Sequence, residues 1–146
     1  MTRCIGLDHG SRRIGVAVGD TDTGMVFARP ALRRRALDAD LDALIGLARE
    51  EEADVAIVGL PRNMDGSEGA QAASARDFGE RLRERGLRVI YVDERLSSWE
   101  ARERLTAAGR RPHRSSGELD SAAARLVLQE YLDARRGTPI DAKETE

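Results

Sequence analysis

The chain is poor in cysteine, lysine and aromatic residues, and each scarcity excludes something. Cys4 is the only cysteine in 146 residues, so no disulfide forms within the chain, and a reducing cytosol is the expected compartment. Aromatic residues make up 3% of the sequence, so Tyr91 and Trp99 are assigned to packing and not to base stacking. Lys143 is the only lysine among 24 basic residues, and the chain therefore relies on arginine, whose guanidinium binds phosphate with two hydrogen bonds.

Long apolar runs are absent and histidines are rare. No stretch approaches the roughly 18 apolar residues of a membrane span, and the N-terminus lacks a signal-peptide pattern, so we expect a soluble cytoplasmic protein without a membrane partner. His9 and His113 are the only histidines, and no His/Cys cluster offers zinc a site. We assign His9 to a turn and His113 to a basic loop. The length of 146 residues fits one domain. The net charge of −2 argues against a protein that covers nucleic acid non-specifically.

Two carboxylates are predicted to stand at the ends of apolar strands. The alternation over residues 3–7 predicts a strand that Asp8 closes, with Asp8 on the face opposite the two large apolar side chains of that run. The apolar run over 87–92 predicts a buried strand, which Asp93 and Glu94 follow directly. Because the carboxyl ends of strands are where ligand chemistry gathers, both positions are candidate sites.

A third carboxylate is predicted to lie on the buried face of a helix. Asp120 shares a helical stripe with Ala123, Ala124, Val127 and Tyr131. An unpaired buried carboxylate costs several kcal/mol, so it should be protonated, paired with a base or bound to a cation. The first turn of a helix, where Asp120 falls, also favours an anion through the helix dipole.

Each acid has a structural explanation as well. Asp8 can cap the turn, Glu94 can pair with Arg95 or Arg13, and Asp120 can be a capping carboxylate. Three caps have no reason to converge, so the three acids together favour a shared cation site. Their oxygen ligands suit Mg²⁺ or Mn²⁺.

Two further acids and several arginines lie near these positions. Asp93 and Asp20 are candidates for a fourth metal ligand, although structural pairing explains each of them as well. A genomic bias towards arginine explains most of the basic residues, but those that flank the acids are expected to hold a nucleic-acid backbone. They are Arg12 and Arg13 beside Asp8, Arg95 beside Glu94, and Arg110, Arg111 and Arg114 ahead of Asp120; a further cluster is Arg33 to Arg35.

The periodicities predict the element order β-β-β-α-β-α-β-α-α. An antiparallel start followed by right-handed βα crossovers gives an α/β fold, with a mixed five-stranded sheet, antiparallel first three strands and helices on both faces. Asp8 and Glu94 lie on neighbouring strands if the later strands pair with the first. The predicted strands are 3–7, 14–18, 25–28 before Pro30, 55–58 and 87–92, and the predicted helices are 37–48, 70–85, 97–109 and 118–135. These elements form one domain over 1–136, and the polar tail 137–146 is expected to be disordered.

Four motifs, which span about residues 4–132, resemble those of the YqgF family, whose members are known as Holliday-junction-resolvase-like proteins or as nucleases for the 5′ end of precursor 16S ribosomal RNA. They are Gly6-Leu7-Asp8-His9-Gly10 with Arg13-Ile14-Gly15-Val16-Ala17-Val18; Val58-Gly59-Leu60-Pro61 with Asn63-Met64-Asp65-Gly66-Ser67; Asp93-Glu94-Arg95-Leu96-Ser97-Ser98; and Asp120 with Ala122 and Ala123. Two positions depart from the family pattern: Gly19 stands where a serine is common before Asp20, and Gly117-Glu118 replaces a more basic lead into Asp120. The second departure is expected to weaken local binding of phosphate.

The resemblance implies a ribonuclease H-like fold with catalytic acids at Asp8, Glu94 and Asp120. It further implies a nuclease with a two-metal site for Mg²⁺ or Mn²⁺, acting on precursor ribosomal RNA or other single-stranded RNA or DNA. Two alternatives stay open: resolution of branched DNA, which needs a dimer, and a non-hydrolytic binding module or a relative of the actin-like ATPases. We expect a monomer or a weak homodimer.

Overall fold

The computed structural model describes residues 2–93 and 118–135, with side chains from Ser121 onward in the second range. The predicted helix over 97–109 and the predicted tail over 137–146 lie outside these ranges. Five strands and three helices are described: β1 Arg3–His9, β2 Arg13–Asp20, β3 Val26–Arg33, α1 Leu37–Glu50, β4 Val55–Leu60, α2 Ala70–Glu84, β5 Arg88–Asp93 and α3 Glu118–Ala134. Among these, no helix is long and apolar enough to cross a bilayer.

The five strands form one mixed sheet in the order β3-β2-β1-β4-β5. β1 pairs antiparallel with β2 and β2 with β3, whereas β4 pairs parallel with both β1 and β5. The predicted architecture is therefore confirmed. The expectation that the strand before Glu94 is a neighbour of the strand of Asp8 is wrong, because β4 lies between β1 and β5. Every residue of β4 is buried, which suits this apolar segment to an inner position in the sheet.

The two faces of the sheet carry separate cores. Ile5 and Leu7 of β1 point towards the face that α1 and α2 cover, where Leu44 and Phe78 pack with them. Cys4 points to the other face and packs against α3. Its burial raises the pKa of the thiol to about 12, so Cys4 is the core residue that its position predicted. The strand alternation places Gly6 and Asp8 on this second face as well.

The third strand continues past Pro30, contrary to the prediction that it ends there. It runs from Val26 to Arg33 at the edge of the sheet, and its pairing with β2 shifts register between Ile14 and Val16. Proline lacks an N–H group and is tolerated at edges and bulges, so the irregularity accommodates Pro30 without ending the strand.

Candidate functional site

Asp8 lies where neither adjacent strand contributes a side chain. It is half-buried near the end of β1, on the face opposite Ile5 and Leu7 as predicted, and its partner across the β1–β2 pair is Gly15. On the other side, Gly59 follows Val58, which pairs with Leu7. Two glycines therefore flank Asp8 on the α3 face, and neither places a side chain of its own beside the carboxylate.

Helix α3 crosses this face at unusually short range. A Cβ atom on Gly6 would lie 2.8 Å from Leu128 Cβ and 3.0 Å from the carbonyl oxygen of Ala124. Gly19 of β2 pairs with Cys4, two residues before Gly6 on β1, and a Cβ atom on Gly19 would lie 3.2 Å from Leu132 Cδ1. The helix thus runs antiparallel to β1. The distance spanned by two residues of the strand is close to the rise of one helical turn, so each turn of α3 passes about two residues of β1. This carries the first turn of α3, which includes the backbone of Asp120, to the level of Asp8.

The start of α3 is fixed to the sheet by Ser121. Its hydroxyl donates a hydrogen bond of 2.7 Å to the carbonyl oxygen of Arg29 and accepts one of 3.5 Å from the backbone N–H of Val16. Both backbone groups lie at the irregular β2–β3 pairing next to Pro30. The hydroxyl therefore bridges the two strands where the regular backbone hydrogen bonds between them are interrupted. Sequence reasoning missed Ser121, and the only signal available was its place directly after Asp120.

Replacing Gly6 with alanine is expected to push α3 away from the sheet. The methyl group meets the helix backbone, so we expect a loss of about 1–3 kcal/mol in the free energy of unfolding and a melting temperature several degrees lower. Thermal melts followed by circular dichroism measure this. Gly46→Ala on α1 is the matched control, because a Cβ there meets nothing within 4 Å and alanine favours a helix. Equal melting temperatures for the two variants would contradict the close contact.

A cleft of about 390 Å³ opens next to Asp8. Its walls are the turn between β1 and β2, the segments after β3 and β4, and the first turns of α2. The lining residues are Asp8, His9, Gly10, Ser11, Arg34, Pro61, Ala70, Gln71 and Ser74. Three of these polar residues, Arg34, Gln71 and Ser74, were not predicted as site residues, since each is separated from Asp8 by tens of residues along the chain.

His9 is part of the core and not a turn residue, which corrects the prediction. It is the last residue of β1, it is buried, and its ring centroid lies 4.9 Å from that of Phe78. Burial, followed by the nearby charge of Arg34, lowers the pKa of His9 to about 4. His9 is therefore neutral at neutral pH and contributes no positive charge to the cleft.

The two candidates for a fourth metal ligand do not join Asp8. Asp20 faces Arg3 at the other end of the β1–β2 pair, about 17 Å from Asp8 at 3.3–3.4 Å per strand residue. Its carboxylate accepts the backbone N–H groups of Thr23 at 2.8 Å and Asp22 at 3.0 Å, and the bond from Thr23 is the main cause that lowers its pKa. Asp20 therefore caps a turn.

Asp93 ends β5 beside Leu60 of β4. The alternation of β5 places it on the face of Tyr91, which packs with the α2 side of the sheet, opposite to the face of Asp8. The fourth-ligand role predicted for Asp93 therefore lacks a shared face with Asp8.

The remaining predicted site residues divide between described and undescribed positions. Arg12 is exposed and Arg13 half-buried at the turn between β1 and β2. Glu94, Arg95, Arg110, Arg111 and Arg114 lie outside the described residues, as does the side chain of Asp120. Within the described ranges no group of three or more His, Cys, Asp or Glu residues is placed to hold a metal ion. Two of the three predicted acids, Glu94 and Asp120, have no described side chain.

Sequence comparisons connect the chain to named proteins. A family model described as "RuvX: Holliday junction resolvase" matches residues 2–134. A "Putative pre-16S rRNA nuclease" of Synechococcus sp. is 43% identical over 133 residues, which cover 90% of this chain and 89% of that protein. A protein with the same name from Anaeromyxobacter sp. is 44% identical over 134 residues, covering 91% of this chain and 98% of that protein.

Solved structures with the same fold include a protein bound to a Holliday junction and a phage nuclease. The T. thermophilus RuvC in complex with a Holliday junction substrate has a TM-score of 0.57 at 13% identity and covers 94% of this chain and 98% of its own. The large terminase nuclease from the thermophilic phage G20c has a TM-score of 0.52 at 14% identity, with coverage of 89% and 81%. At these identities the likeness shows the fold, and it confirms the ribonuclease H-like architecture.

Proposed function

The chain belongs to the RuvX family of Holliday junction resolvases, and from this premise we propose that it is a divalent-metal-dependent nuclease that processes the 5′ end of precursor 16S ribosomal RNA. The observation that carries the proposal is the meeting of two elements at one end of the sheet. β1 presents Asp8 there, and Ser121 ties the start of α3, the helix that contains Asp120, to the same region. The names of relatives that are 43% and 44% identical support precursor RNA as the substrate.

We assign the metal ligands to Asp8, Glu94 and Asp120. The neighbours of Asp8 in the sheet are glycines, which place no side chain beside it, and the oxygen atoms of carboxylates are the ligands that Mg²⁺ and Mn²⁺ prefer. Glu94 directly follows Asp93, the last residue of β5, and β5 runs parallel to β4 towards the same end of the sheet as Asp8. Bound divalent ions would activate a water molecule and stabilise the charge that develops on the leaving oxygen.

The arginines around these acids would hold the nucleic-acid backbone. Arg12 and Arg13 stand on the turn that follows Asp8, and the same role is proposed for Arg95, Arg110, Arg111 and Arg114. Phosphate contacts of this kind fix the position of a strand without reading its sequence. The protein would then meet its RNA substrate in the cytoplasm and act as a monomer or weak homodimer.

Resolution of Holliday junctions is the second candidate, and the description of the family model favours it. It requires two sites that face symmetric strands, and hence a stable dimer on the junction. Precursor RNA processing requires one site only. The two functions therefore differ in the assembly that they need as well as in the substrate.

A panel of substrates tests the proposed function. Purified protein with Mn²⁺ is incubated with a precursor 16S RNA that carries its 5′ extension, with single-stranded DNA and with a four-way junction, and the products are mapped on sequencing gels. We expect cleavage of the RNA extension and little cleavage of the junction. Symmetric nicks in the junction would replace the proposal with resolution, and binding without cleavage of any substrate would indicate a non-hydrolytic module.

A further inference from the structure

We propose that the cleft beside Asp8 holds one unpaired nucleotide next to the scissile phosphate, and that Arg34 binds the phosphate group of that nucleotide. This inference rests on the proposed nuclease function and adds a substrate-binding residue to it. Its basis is the way the fold holds a guanidinium at this place.

Arg34 is anchored on two sides. Its Nη1 donates a hydrogen bond of 3.1 Å to the carbonyl oxygen of Gly10, in the turn two residues after Asp8. Its Nε lies 3.6 Å from Oδ2 of Asp40, a buried carboxylate that also accepts the backbone N–H of Arg35 at 3.0 Å. A guanidinium fixed in this way loses little further freedom when it binds a ligand.

The anchored side chain remains available to a ligand. It is 28% exposed and lines the cleft, and Nη2 has no hydrogen-bond partner among the described residues. The planar guanidinium of arginine presents N–H donors that match the oxygen atoms of a phosphate group, so the open side of Arg34 is suited to a phosphodiester oxygen.

The other residues that line the cleft, and its size, suit a nucleotide better than another kind of ligand. Ser11, Gln71 and Ser74 offer neutral hydrogen-bonding groups. Among the lining residues that the structure describes, Asp8 is the only acid, so these residues offer an entering anion little repulsion away from the metal site. The volume of about 390 Å³ lies at the lower end of small-ligand sites, which matches one nucleotide better than a base pair. The substrate should therefore be single-stranded at this position.

Arg34 has one competing explanation, which is that it only neutralises the buried carboxylate of Asp40. The two roles make different predictions when both residues are changed. If Arg34 serves only Asp40, then removing both charges in Arg34→Gln/Asp40→Asn should restore the wild-type behaviour. If Arg34 binds phosphate, the double variant stays defective.

Binding of a fluorescent single-stranded RNA of twelve nucleotides, measured by anisotropy in chelator at several salt concentrations, tests the proposal without cleavage. We expect Arg34→Gln to raise Kd roughly ten-fold and to reduce the salt slope by about 0.7, the value for one lost phosphate contact on a single strand. Arg35→Gln is the matched control. It removes the same charge from the next residue along the chain, whose side chain does not line the cleft. Its Kd should stay within about two-fold of the wild type.

Several outcomes overturn the inference. Equal effects of Arg34→Gln and Arg35→Gln, no effect of either, or recovery of binding in the double variant would each remove Arg34 from the substrate site. Should Arg34→Gln fail to fold, Arg34→Lys keeps the charge beside Asp40 and should still weaken binding, because lysine lacks the planar fork; unchanged binding in that variant counts against the proposal.

The outcome is also separable from the fate of the proposed function. If the wild type cleaves no substrate but Arg34→Gln binds RNA more weakly than Arg35→Gln, the nuclease proposal fails and the cleft remains a nucleotide site. If the wild type cleaves and Arg34→Gln has unchanged KM and kcat, the nuclease stands and the cleft proposal fails. If the nuclease proposal and the cleft proposal are both correct, Arg34→Gln has a higher KM with a smaller change in kcat.

Discussion

Asp8→Asn is expected to lower Mn²⁺-dependent cleavage by at least about 100-fold, since the loss of a group that only orients a metal ligand already costs about 10–100-fold. Asparagine has the shape of aspartate but lacks its negative charge, so the metal loses a ligand while the strand keeps its packing. Asp8 is only half-buried and has a glycine as its partner on β2, and the fold should therefore tolerate the change. Initial rates of cleavage and thermal melts in chelator measure the two effects separately.

Asp20→Asn is the matched control for this prediction. It makes the same substitution in the same pair of strands, but at the end of the sheet where the carboxylate caps a turn through Thr23. We expect cleavage to persist in this variant. Wild-type rates in Asp8→Asn, or equal losses in both variants, would rule out Asp8 as a metal ligand and make its role structural.

Asp120→Asn is expected to melt higher than the wild type in chelator and to gain less from Mn²⁺. If Asp8, Glu94 and Asp120 converge, like charges repel one another in the metal-free protein, and removing one of them stabilises the fold. A gain of about 1 kcal/mol corresponds to roughly 2–4 °C in melting temperature for a chain of this size. Metal at about 100 times its Kd stabilises the wild type by roughly 2.7 kcal/mol, and a site with one ligand fewer gains less.

Asp133→Asn supplies the comparison on the same helix. Asp133 is exposed near the end of α3 and accepts a hydrogen bond from Gln129 at 2.9 Å, so its replacement should leave both the melting temperature and the response to Mn²⁺ close to those of the wild type. If Asp120 only caps the helix, Asp120→Asn behaves as Asp133→Asn does, because asparagine caps about as well as aspartate. Identical melts and identical metal responses for the two variants would thus refute a carboxylate cluster.

Local periodicity was enough to predict the elements that carry the candidate site. The helix predicted over 37–48 is Leu37–Glu50, the helix predicted over 70–85 is Ala70–Glu84, and Asp8 lies on the predicted face of β1. The α3 stripe is buried at Ala123, Ala124, Val127 and Tyr131 as the helical spacing required. These successes have one cause: whether a side chain faces the core repeats with the period of the backbone, and that period is visible in neighbouring residues.

The features that failed depend on partners distant in the chain. Pro30 did not end β3, because the hydroxyl of Ser121, 92 residues from Arg29 in sequence, completes the irregular pairing. His9 was assigned to a turn because its neighbours are turn residues, although it packs on Phe78 from α2. Neither contact leaves a periodic signal in the residues around it.

The sequence by itself determined the class of fold, the strand that presents Asp8 and the buried stripe of α3. It also showed that nearly all of the basic residues are arginines. Only the tertiary structure decided that β4 separates β1 from β5, that α3 approaches Gly6 closely enough to reach the level of Asp8, and that Arg34 enters the cleft beside it. The division follows from physics. Backbone period and side-chain polarity are properties of adjacent residues, whereas strand order, helix approach and the walls of a cleft arise when distant segments compete to bury the same surface.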